Sequence, residues 1–102
     1  MHYTLSSTAA RDLATIVHDL LWNEDYGGVE SASRVDEILD RWLTRIAAGL
    51  AIGHRRKDLP RSCELLFVVA DPTEYVIALD PRTREIVRII HGRRDFPALS
   101  WD

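Results

Sequence analysis

The sequence has a single cysteine, Cys63, among 102 residues. No disulfide can therefore close within the chain, which fits a reducing compartment. Cys63 reads as a small, semi-buried residue at a strand entrance. Long apolar runs are missing too: none approaches the roughly 20 residues needed to cross a bilayer. The first residues, Met1-His2-Tyr3-Thr4, lack the basic-then-apolar pattern of a signal peptide. These absences lead to the expectation of a cytoplasmic protein with no membrane partner. A basic excess is also lacking. Net charge is −3, with four arginines against eight acids in residues 1–50 and nine basic against eight acidic residues in 51–102. Proteins that grip nucleic acid through phosphates usually show a clear positive balance, so this charge weighs against RNA binding. No glycine-rich phosphate loop and no metal-ligand spacing of Cys, His and acids are present, so no metal and no cofactor are expected.

What is present is the composition of a folded domain, 46% hydrophobic and 28% charged. A chain of this length supports one core, so residues 1–102 read as a single domain. His2 to Ser6 alternates Tyr3 and Leu5 inward with polar neighbours, a short strand. Ser6, Ser7 and Thr8 offer N-cap hydroxyls. From there Ala9, Leu13, Ile16, Val17, Leu20 and Leu21 recur at helical spacing, and Gly27-Gly28 turns the chain. Val35, Ile38, Leu39, Trp42, Leu43 and Ile46 mark a second helix, with Glu37 four residues before Arg41 as an attractive pair and Gly49 placed to cap the end. Trp22 and Trp42 are expected to pack the resulting hairpin, and His18 to lie on its surface. Three strands follow, Leu65–Ala70, Tyr75–Leu79 and Ile86–Ile90, separated by Asp71-Pro72-Thr73 and Asp80-Pro81-Arg82-Thr83 turns. Arg88, at an alternating position, reads as part of a solvated sheet face. The order β-α-α-β-β-β predicts an α+β domain, a helical hairpin packed on one face of a mostly antiparallel sheet.

Three stretches together resemble the RelE/ParE superfamily of toxins from type II toxin–antitoxin systems. They are Tyr3-Thr4-Leu5-Ser6 through Ala9, Asp12-Leu13 and Ile16; Gly53-His54-Arg55-Arg56-Lys57-Asp58-Leu59; and Ile86-Val87-Arg88-Ile89-Ile90-His91-Gly92-Arg93-Arg94-Asp95. The resemblance spans nearly the whole chain and is most specific at the tail. It implies the same fold and a cognate antitoxin that wraps the toxin with an extended segment, here over Leu13, Val17, Leu20, Leu21 and Trp42. It also implies one of two modes of action. RelE-like members resemble ribosome-dependent endoribonucleases of messenger RNA, in which a base deprotonates the 2′-hydroxyl and cations hold the phosphorane charge. ParE-like members resemble inhibitors of DNA gyrase that act by binding.

The tail of this sequence leans toward the ParE branch. Where such an RNase places a Tyr or His, two residues past the aspartate, stands Pro97, which has no proton to give. The inserted Gly92, the following Pro97-Ala98-Leu99 and the acidic balance point the same way. The expected target surface is His91, Arg93, Arg94 and Phe96 with the loop residues Arg55, Arg56 and Lys57, and the expected partners are DNA gyrase and a ParD-like antitoxin in a hetero-oligomer. The nuclease alternative would draw on His91, Arg93, Arg94 and Arg82, with Arg84 beside them. Blander readings stand next to these: a structural His91, an Asp95 that pairs with Arg93 or Arg94, a solvated His54–Lys57 loop, a Trp101 that anchors the tail, and a degenerate, non-toxic binding domain.

Overall fold

Ser6 converts the extended start of the chain into a helix. Its Oγ accepts the N–H of Ala9 at 3.1 Å, satisfying one of the donors that a helix start leaves free. The computed structural model describes residues 2–23, 28–99 and 101. Its elements are strand β1 (Thr4–Leu5), helices α1 (Ser7–Trp22) and α2 (Gly28–Ala47), and strands β2 (Leu66–Val69), β3 (Tyr75–Asp80) and β4 (Glu85–His91), followed by a 3-10 turn at Phe96–Ala98. Of the expected Gly27-Gly28 turn, Gly27 lies outside the described residues and Gly28 is the first residue of α2. The other end of α2 is closed by Gly49, at φ 76°. The Gly49 N–H donates to Ile46 O at 2.9 Å and the Leu50 N–H to Arg45 O at 2.8 Å, a paired cap whose left-handed residue favours glycine.

The domain is α+β, as the periodicity predicts. The sheet order is β1-β4-β3-β2, with β1 parallel to β4 and the other two pairings antiparallel. One face packs on the helices: Ala9, Leu39 and Ile46 meet Val68, Ile77, Leu79, Ile86 and Ile89. The opposite face is covered as well, by the carboxy-terminal segment and the loop before β2. There Phe67, Val76, Ala78 and Ile90 enclose Phe96, with Leu59, Cys63, Leu99 and Trp101 at the margin. Burial on both faces explains why β3 is buried without a break from Val76 to Asp80, where a sheet solvated on one side would alternate. Each of the fully buried large side chains, among them Phe96, Leu39 and Ile77, contributes about 1.5–3 kcal/mol.

Three expectations are corrected. Leu5 does not face inward but is 42% exposed, because β1 is a two-residue edge strand with burial on neither residue. Trp22 does not pack the hairpin. It ends α1 at 73% exposure, its ring 6.2 Å from that of His18. Arg88 does not sit on a solvated face either: half-buried, it is paired with Asp12 of α1.

Candidate functional site

Strand β4 outruns its neighbour. β1 pairs only with Glu85 and Ile86, so among the described residues the edge from Val87 to His91 has no strand beside it. Helix α1 covers part of that edge. The Asp12 carboxylate accepts the backbone N–H of Ile89 at 2.9 Å and the Arg88 Nε–H at 2.8 Å. Further along, the edge opens into a groove of about 1260 Å3 between α1, the β2–β3 turn and the tail, lined by Thr15, Asp19, Glu74, Tyr75, His91 and Arg94 among others.

Glu74, in the β2–β3 turn, is the platform on which the tail is mounted. Its backbone oxygen accepts the N–H of Gly92 at 2.7 Å. One carboxylate oxygen bonds the Nε2 of His91 at 3.0 Å and the other accepts from the Arg93 guanidinium at 3.3 Å. A Cβ on residue 92 would stand 3.0 Å from Glu74 O, so this close approach favours glycine. His91 is further fixed by Tyr75, opposite it in the ladder, whose ring meets it edge-on at 5.3 Å. The Arg94 N–H donates to His91 O at 3.0 Å, and its side chain is exposed. Arg93 is 82% exposed despite its contact with Glu74. The tail thus holds two solvent-facing guanidinium groups on a bonded turn. Asp95 makes no side-chain pair with either arginine, and its backbone oxygen instead accepts the N–H of Ala98.

The other expected site residues divide sharply. Phe96 cannot be a contact residue on this surface. At 1% exposure it lies in the second core, with Phe67 and Trp101 around it, because an aromatic ring placed under the tail gains more from burial than from water. Trp101 anchors the tail, its indole N–H donating to Phe96 O at 2.9 Å. Arg56 is drawn into the same core margin: its guanidinium lies 3.8 Å over the Phe96 ring and is bidentate to Asp58 at 2.9 and 2.8 Å. These hydrogen bonds hold the Asp58 carboxyl below its ordinary range. Arg55 donates to Cys63 O at 2.8 Å and also to Arg61 O, and His54 forms a two-bond bridge with Phe67 at the outer edge of β2. Lys57 is exposed. The loop and the tail therefore meet through Phe96, not as one charged surface.

Arg82 lies at the far end of the β3–β4 hairpin. Tyr75 pairs with His91 at one end and Asp80 with Glu85 at the other, about 17 Å apart at strand spacing. Arg82 is committed there to Asp80 and Glu64. Burial pushes the Asp80 carboxyl upward, but hydrogen bonds from the Arg82 guanidinium and from the Arg82 and Thr83 backbone outweigh it and hold the group below its ordinary value. Tyr75 lines the groove beside His91. Its phenol is raised above its ordinary value, chiefly by burial and further by Asp19 and Glu74, so it stays protonated and cannot serve as a base near neutrality.

Of the helix residues, Leu13 and Trp42 pack against the helix-side core, and the Trp42 indole donates to Asp71 O at 2.8 Å. Val17 and Leu20 are half-buried, and Leu21 is exposed. Among the described residues, no three His, Cys, Asp or Glu side chains converge on a cation position, and no helix is long and apolar enough to cross a membrane. Sequence reading missed Glu74 and Tyr75. Ladder pairs counted back from Asp80 and Glu85 would set Tyr75 opposite Ile90; the register shift at Ala78/Leu79 moves it by one, opposite His91, and brings its neighbour Glu74 to the tail. Compared with known proteins, the chain matches no family model and no curated sequence.

Proposed function

We propose that this protein is the toxin of a type II toxin–antitoxin pair, of the RelE/ParE kind, that inhibits DNA gyrase by binding and is neutralised by a cognate ParD-like antitoxin. The observation that carries the reading is the mounting of the tail. Arg93 and Arg94 project from a turn bonded to Glu74, which suits recognition because an ordered turn loses little entropy on contact. Of the four groups that the nuclease alternative would draw on, Arg82 stands at the opposite end of the hairpin from His91, Arg93 and Arg94. Support also comes from the α+β element order and from the three stretches of resemblance. The antitoxin segment has exposed apolar surface to cover: Leu21 and Trp22 at the end of α1, Val29 at the start of α2, and Leu50, Ile52 and Val69 near the outer edge of β2. A segment that folds on binding would lie across such surfaces.

A second reading, ribosome-dependent messenger cleavage, rests on the contact of Tyr75 with His91 beside Arg93. Two assays separate them. Expression without the antitoxin should arrest growth, and primer extension on cellular messages should then show no codon-position cuts while plasmid supercoiling falls. Cuts at codon positions with supercoiling intact would transfer the proposal to the nuclease branch. Unimpeded growth at confirmed expression would favour the degenerate, non-toxic domain.

A further inference from the structure

We propose that His91 is a positioning residue, which fixes Arg93 through its unprotonated Nδ1 in place of the side-chain oxygen that usually makes such a turn. The inference rests on the reading that Arg93 and Arg94 contact the target. The backbone N–H of Arg93 donates to His91 Nδ1 at 3.1 Å. A backbone N–H is always a donor, so Nδ1 must be the acceptor, and the ring proton sits on Nε2. That proton is directed to Glu74 Oε2 at 3.0 Å. A neutral imidazole in this one tautomer satisfies both neighbours at once. The i to i+2 geometry is that of an Asx turn, normally made by an Asn or Asp oxygen. Histidine adds what those shorter side chains lack, a second nitrogen that reaches Glu74. Glu74 in turn holds the Arg93 guanidinium with its other oxygen. Backbone and head group of Arg93 are therefore both placed by a single His91–Glu74 unit.

The groups facing this unit keep it on the turn. Tyr75 packs edge-on to the ring at 79° and fixes its plane, and Asp19 and His18 of α1 and Arg94 of the tail line the same groove. Gly92 gives the chain room to close, its N–H on Glu74 O. None of these contacts requires a catalytic histidine, and the Arg93 N–H occupies the nitrogen that a general base would need free.

Two substitutions divide the two halves of the imidazole. His91→Asn keeps an acceptor at the Nδ1 position and loses the reach to Glu74. His91→Gln keeps the reach and loses the acceptor. In full-length protein labelled with 15N, the wild-type ring should show the Nε2–H tautomer. Protection of the Arg93 amide from exchange should persist in His91→Asn and disappear in His91→Gln and His91→Ala. In a gyrase supercoiling assay, His91→Asn should inhibit about tenfold better than His91→Gln, the scale of one hydrogen bond. A ring protonated at Nδ1, or an Arg93 amide equally protected in all four proteins, would overturn the assignment. So would equal inhibition by the Asn and Gln variants. Should wild-type protein leave gyrase untouched, the proposed function fails, and the Arg93 amide alone decides whether His91 positions it.

Discussion

Asp12 and Arg88, 76 positions apart in the chain, meet at 2.8 Å where α1 crosses β4. The same carboxylate accepts the Ile89 N–H, so a helix side chain does for the uncovered edge of β4 what a neighbouring strand would do. The pair is only partly open to water, with the Arg88 side chain 28% and the Asp12 side chain 17% exposed, and each partner desolvates the other's charge. Asp12→Ala would leave both the guanidinium and the strand N–H short of an acceptor. We expect a loss of about 2–4 kcal/mol of stability in urea denaturation. Combining it with Arg88→Ala should cost clearly less than the sum of the two single losses. Full additivity would show that the contact carries no coupling.

Phe96 belongs to the core and not to the recognition surface. Phe96→Ala should cost about 3–5 kcal/mol, visible as a lower urea midpoint, and should loosen the tail through the lost contacts with Phe67, Trp101 and Arg56. A folded Phe96→Ala protein of wild-type stability would remove the second core from this account.

Asp80 sets an acid limit on stability. Its folded carboxyl is held below the ordinary value by Arg82 and the Thr83 N–H, in spite of burial. A group of this kind stabilises the fold when ionised, fully so above the unfolded value, and loses that contribution as pH falls through the folded one. Asp80→Asn should therefore lower Tm near neutrality and flatten its fall with acid below about pH 4. Parallel Tm–pH curves for the two proteins would contradict this.

Much of the architecture was legible because periodicity reports burial. The N-cap at Ser6, the glycine cap at Gly49 and the Glu37–Arg41 pair at 3.5 Å are local, and local chemistry is readable in order along the chain. What escaped was set by register and by residues far apart. Nothing near Arg88 in sequence announces Asp12, and nothing near His91 announces Glu74. The second core was half visible: Trp101 read as an anchor of the tail, yet Phe96 resembled a target contact, since an aromatic beside arginines fits either role. Trp22 misled because an apolar stripe does not say where its helix passes the end of its partners.

Glu74 should matter as much as the arginine it holds, Arg93. Glu74→Gln keeps an acceptor for one neighbour but removes the charge shared by His91 and Arg93. Its residue is exposed, so we expect a stability change within about 0.5 kcal/mol together with a several-fold weaker effect on growth. Titrated expression of the variant beside wild type measures it. A variant as potent as wild type would remove Glu74 from the functional surface.

Under the proposed function, two exposed arginines on a bonded turn act on gyrase by contact. This is tested by adding purified wild-type protein and the Arg93→Ala/Arg94→Ala double variant to gyrase and relaxed plasmid. Exposed arginines contribute little to folding, so the variant should keep its melting temperature within about 2 °C, the shift expected for a small surface change. Wild type is expected to block supercoiling, and the equally folded variant is expected not to. Inhibition by both proteins to the same extent, or by neither, would contradict this.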